Sequence, residues 1–167
     1  NEGGYVMRKR ILPEPQSEAV SADDAWLPLE ELADVEITSE NPAYPIEAAL
    51  IPGRDQGWRA ATPGRQTIRL IFKQPQRLRR IRLRFFEPNA ERTQEYVVRW
   101  SDDDGRSFRE IVRQQWNFSP RGATSQTEDH EVELPRVTVL EASIVPDTRG
   151  GPAVAWLGEF RGAMGKR

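Results

Sequence analysis

An antiparallel β-sandwich or jelly roll of about eight strands is the all-β fold this sequence predicts. The first observation behind it is a set of short runs that alternate apolar and polar side chains, the period of two of a strand buried on one side. The second is the punctuation between the runs, which is Gly, Pro and Asp, the residues of tight turns. The third is the near absence of the apolar period of a helix. At 167 residues the chain has the size of one ordinary domain and can bury a core without covalent staples.

Taken in order, residues 1–25 mix polar, proline and acidic residues (Pro13-Glu14-Pro15-Gln16-Ser17-Glu18) and read as an extended arm, which leaves 26–167 as the sandwich domain. Tyr5 to Leu12 is expected either to add an edge strand or to bind elsewhere in a larger protein. In 26–32, Ser21 or Asp23 can cap a helix start and Pro28 holds any helix to one short turn, so a docking segment is expected. Residues 35–39 alternate and stop at Asn41-Pro42, because proline cannot extend a central strand. One helical turn is expected in 44–50, followed by the loop Ile51-Pro52-Gly53-Arg54-Asp55-Gln56-Gly57 and by Trp58 as the first core anchor.

Strand 67–72 puts Ile68, Leu70 and Phe72 on one face. Gln74-Pro75-Gln76 reads as a turn, and 78–85 follows with Ile81, Leu83 and Phe85 inside and Arg80, Arg82 and Arg84 outside. Strand 95–101 carries Tyr96, Val98 and Trp100 inward and ends in the Asp-Gly hairpin Asp102-Asp103-Asp104-Gly105. Phe108 to Val112 returns, Gln114 to Phe118 carries Trp116, and 119–126 is a loop. In the next strand His130, Val132 and Leu134 oppose Asp129, Glu131 and Glu133. Strand 137–145 turns Leu140, Ala142 and Ile144 inward, and 153–161 closes the sandwich after Arg149-Gly150-Gly151-Pro152.

Composition removes whole classes of chemistry. There are no cysteines, hence no disulfide, thiolate zinc site or cysteine nucleophile. The single histidine, His130, has no triad or metal motif near it. A net charge of −2 argues against a globally basic nucleic-acid binder. Charged residues make up 30% of the chain and no apolar run approaches the roughly 20 residues of a membrane span, so a soluble protein is expected. No apolar segment follows Asn1-Glu2-Gly3-Gly4 as in a signal peptide, which leaves the compartment open.

The order of Gly57-Trp58-Arg59-Ala60, Gln66-Thr67-Ile68-Arg69-Leu70-Ile71-Phe72, Tyr96 to Ser101 with Asp102-Asp103-Asp104-Gly105, and Leu157-Gly158-Glu159-Phe160 resembles discoidin-type domains. These are the galactose-binding-like jelly rolls of coagulation factor C domains and family 32 carbohydrate-binding modules, and the resemblance covers about residues 35–162. It implies a jelly-roll sandwich whose ligands meet loops at one end. It also implies a structural calcium, for which Asp55 and Glu159 are the carboxylates at hand. The family's Asp-Gly pair ahead of the tryptophan is missing, however, and Arg54 stands in that loop. The Arg-x-x-Arg strand usual in the second half is replaced by Leu140-Glu141-Ala142-Ser143-Ile144.

The implied function is a non-catalytic module, with carbohydrate as the expected ligand and a protein-interaction or assembly role as the alternative. Nucleic acid is a third and weaker reading. A sugar site needs an aromatic face and planar donors and acceptors; Phe86 or Trp116 with Asn89, Arg92, Asn117 and Arg121 supply both types. Against this, Phe86, Trp116 and Phe118 are read first as core or under-loop packing, since aromatics are so often buried anchors. The arginine stripe Arg80, Arg82, Arg84 is expected to pair with the acids of the next strand rather than form a basic patch. Glu87, Glu91 and Glu110 form no recognisable glycosidase pair. No enzyme is expected.

Overall fold

The computed structural model describes residues 25–165. Its elements are α1 (Leu29–Leu32), β1 (Ala33–Ile37), α2 (Glu47–Leu50), β2 (Trp58–Arg59), β3 (Gln66–Phe86), β4 (Arg92–Ser101), β5 (Arg109–Phe118), β6 (Ser125–Val145) and β7 (Trp156–Ala163). The alternating runs form the strands because their apolar halves cannot be satisfied in water, whereas their backbones pair with neighbours.

All pairings are antiparallel, and β3 and β6 organise them. The two strands, 21 residues each, form one long ribbon. In its first half Gln66 to Ile71 lies opposite Ile144 to Val139, with β1 on the far side of β3 and β4, then β5, beyond β6. In its second half Arg80 to Phe86 lies opposite Glu131 to Ser125, and β7, then β2, flank β3. Register shifts between Ile71 and Arg80 mark the place where the ribbon folds over. The two halves thus become the two layers of a sandwich. Phe85 of one layer meets Tyr96 of the other with ring centroids 5.0 Å apart. Between them lie Trp58, Ile68, Leu70, Leu83, Leu140, Leu157 and Phe160, all buried.

Seven strands replace the expected eight or so among the described residues. The stretch Gln74-Pro75-Gln76 is not a turn between two strands, and Pro135 does not divide β6: both prolines sit where the ladder is already interrupted, and there a missing N–H costs nothing. The closing strand starts at Trp156 rather than near Ala153. Pro28 occupies the N-cap of α1 without a side-chain cap; Ser21 and Asp23 lie outside the described residues, as does the expected arm with its Tyr5 to Leu12 segment. The Asp-Gly hairpin is present, with Asp104 at φ 63° and Gly105 at φ 88°. No helix among the described residues is long and apolar enough to cross a membrane.

The connections sort to two ends. At one end the β3–β4 and β5–β6 loops are tied by Glu87 N–H donating to Thr124 O at 2.8 Å, and the β6–β7 loop joins them through Thr148 N–H to Thr93 O at 2.8 Å. The 51–57 loop reaches the same end, where Trp156 Nε1 donates to Gln56 O at 2.7 Å. The other end holds the ribbon fold and the β4–β5 hairpin, joined by Asp104 N–H to Thr138 Oγ1 at 2.9 Å.

Candidate functional site

Two concave regions lie at the loop-rich end. The first is a shallow hollow of about 330 Å³ on β5, lined by Gln115, Trp116 and Asn117. Trp116 lies opposite Gln94 in register and is only partly buried. Its Nε1 and Gln94 Nε2 are buried without an acceptor among the described residues. Asn117 is exposed and its Oδ1 accepts from Thr93 Oγ1 at 2.8 Å. Asn89 and Arg121 are exposed on the two tied loops and do not line it.

Arg92 was expected to face a ligand and does not. It is 1% exposed. Its Nε donates to Glu87 Oε1 at 2.7 Å, and its Nη atoms donate to Gln94 Oε1 at 3.2 Å, Pro146 O at 2.6 Å and Phe86 O at 3.3 Å. Its guanidinium sits 4.7 Å over the buried ring of Phe118. Burial pushes the Arg92 pKa down, and the Glu87 carboxylate opposes that shift. Arg92 is therefore the post on which the loops are fixed. Glu87 completes it, its second oxygen accepting from Asn89 N–H and Ala90 N–H, both at 3.1 Å.

The second region is a cleft of about 390 Å³ between the 51–57 loop and the outer faces of β3 and β7. Phe86 lines this cleft rather than the hollow, so the two aromatic candidates fall in different places. Phe86 is held edge-on to Trp156, with centroids 5.7 Å apart, and Arg84 stacks on it at 5.0 Å. Gly158 makes room for it: a Cβ there would sit 2.3 Å from Phe86 Cε2.

Asp55 and Glu159 both line this cleft. They do not fit a calcium ion. Glu159 Oε2 is 3.4 Å from Arg84 Nη1 and its Oε1 is 3.8 Å from Arg161 Nε, so guanidinium groups already occupy both oxygens. Calcium takes six to eight oxygens, and no group of three or more carboxylate or histidine ligands exists among the described residues. Arg161, 3% exposed, donates through Nη1 to Ala49 O and to Phe160 O. It therefore ties the end of α2 to β7 with a covalently attached positive charge. Burial lowers the Arg161 pKa, the Glu159 charge offsetting part of the shift.

The other candidates resolve into structure. Arg80 and Arg82 share Asp129 at 3.0 and 2.9 Å and stack on Trp26 at 4.7 and 5.0 Å, while Arg79 pairs with Glu133 at 2.9 Å. The stripe is thus paired, mostly with Asp129 and Glu159 rather than with Glu131. His130 Nε2 lies 3.0 Å from Tyr96 Oη, a hydrogen bond across the layers. Sequence reasoning missed Arg54, Arg84 and Trp26 as cleft walls. Only the arginine in the 51–57 loop signalled that this rim differs from a cation site.

No protein-family model matches the sequence, and no curated protein matches it. Solved structures do match. A family 32 carbohydrate-binding module from Clostridium perfringens, in complex with GalNAc-β-1,3-galactose, superposes with a TM-score of 0.59 at 19% identity, covering 83% of this chain and 99% of that one. The family 32 module of Clostridium perfringens NanJ, in complex with galactose, gives 0.60 at 12% identity, over 82% and 96% of the two chains. The family 32 module of AlyQ, in complex with 4,5-unsaturated mannuronic acid, gives 0.57 at 12% identity, over 78% and 94%. The chain shares their fold. The discoidin-like expectation is met at that level, and the sandwich gathers the 51–57, 87–91, 119–124 and 146–155 loops at one end.

Proposed function

We propose that the chain is a non-catalytic carbohydrate-binding module that takes sugar in the hollow at Trp116. The observation that carries this reading is the fold match over nearly the whole length of modules solved with sugar bound. The hollow offers matching chemistry. A partly buried indole presents an apolar face for a sugar ring, Asn117 beside it supplies a planar amide, and Asn89 and Arg121 stand exposed on the loops at the same end. Trp116 Nε1 has no acceptor among the described residues, so a hydroxyl that reaches it restores a hydrogen bond that burial removed.

Catalysis has no support at this end. Glu87 is committed to Arg92 and to two backbone N–H groups, and Glu110, beside the β4–β5 hairpin at the far end, is paired with Arg113 at 2.9 Å. Glycan-array screening followed by calorimetry with the best ligand tests the proposal. Trp116→Ala is expected to weaken binding by roughly tenfold or more. Absence of binding to any glycan at millimolar concentration overturns it.

A further inference from the structure

We propose that the cleft lined by Arg54, Arg84 and Phe86 is a second binding site, which takes the carboxylate of an acidic saccharide. The proposal rests on the carbohydrate-binding reading and adds to it a class of ligand. Its volume of about 390 Å³ falls in the range of small-molecule sites.

Three observations converge. The walls carry three guanidinium groups, Arg54, Arg84 and Arg161, against the carboxylates of Asp55 and Glu159, a net of one positive charge, and Glu159 is shared between Arg84 and Arg161. Arg54 forms no ion pair with any described residue, so its charge is free to meet an anion. Second, Arg84 contacts Glu159 through Nη1 only, and its Nε is buried with no acceptor among the described residues. A buried unpaired donor is costly, and an oxyanion is the strongest acceptor that can relieve it. Third, the cleft is aromatic as well as cationic: Phe86 is fixed by Trp156 and Gly158, and Trp26 also lines it. Guanidinium beside an aromatic face suits an acidic sugar ring, whose apolar side packs while its charged group is held in bidentate fashion. The pairing of Glu159 that spoils the cleft for calcium is what leaves it hospitable to an anion.

The test is calorimetric titration of the full chain with an oligogalacturonate, a neutral galactose oligosaccharide and sodium sulfate at matched ionic strength, repeated on Arg54→Ala and Arg84→Gln. Melting curves check that both variants fold; Arg54 is exposed on a loop, so its variant is the safer of the two. The oligogalacturonate is expected to bind, to weaken as salt rises, and to lose roughly tenfold or more in affinity in each variant. Acidic binding equal in wild type and both variants overturns the proposal. So does binding of the neutral glycan alone, which leaves the module reading standing. Sulfate binding without oligogalacturonate binding overturns it too, because the aromatic wall then contributes nothing. If no saccharide of either kind binds, the module reading falls with it.

Discussion

Arg92 carries the heaviest structural duty of any single side chain at the loop end. Its guanidinium is desolvated, pairs with Glu87 and bonds to the carbonyls of Phe86 at the end of β3 and of Pro146 in the β6–β7 loop. Removing one partner of such a buried pair leaves the other charge uncompensated, so Arg92→Ala is expected to cost about 3–5 kcal/mol in urea or thermal denaturation. A surface sugar contact would move stability hardly at all. Asp103 shows the same economy in the open. Hydrogen bonds from Ser101 Oγ and from Ser107 Oγ and N–H hold its carboxyl well below the usual carboxylate range. With its folded pKa depressed, its stabilisation is complete above the unfolded pKa of about 4 and fades as pH falls further. Asp103→Asn should therefore melt below wild type at pH 7, the gap narrowing as pH drops below about 4. A gap that stays constant down to acid pH would mean that charge plays no part.

Among the elements, the joint of β2 to β7 depends on Gly57. It sits at φ 69°, and a Cβ there would lie 2.5 Å from Leu157 O and 2.6 Å from Gly158 Cα. Both obstacles are backbone and cannot swing away. Gly57→Ala is expected to cost about 2 kcal/mol or more, since left-handed strain adds to overpacking; chemical denaturation would measure it. Gly158 differs in kind, because the atom in the way belongs to the Phe86 side chain. The ribbon of β3 and β6 shows where strand reading fails. The period of two in 67–72 and 78–85 was legible, since alternation is a local property of the chain. The continuity between them was not: a Gln-Pro-Gln segment reads equally as a turn or as the fold-over of a strand, and only the partner strand decides between the two.

For the molecule as a whole, where the resemblance implied calcium the 51–57 loop is held by Trp156 at Gln56 O, and Arg161 ties the end of α2 just ahead of it to β7. A metal bound at 100 times its Kd would add about 2.7 kcal/mol to stability. The melting temperature is accordingly expected to be the same in millimolar calcium and in excess chelator. A rise of several degrees with calcium would show that Asp55 and Glu159 recruit further oxygens, because a shift of that size corresponds to about 1 kcal/mol.

The sequence by itself determined the fold class, the core anchor Trp58, the inward sets on each strand, the hairpin at Asp104-Gly105 and the pairing of the arginine stripe with acids. All of these follow from alternation, turn chemistry and composition, which act over a few residues. The tertiary structure alone decided that Arg92 and Phe118 lie inside, that Phe86 and Trp116 serve different concavities, and that Glu159 is spent on Arg84 and Arg161. Residues 5 apart in sequence, such as Glu87 and Arg92, meet those 54 apart, such as Pro146, only once the layers close. The burial and charge of a loop side chain are properties of that closure, and no local pattern encodes them.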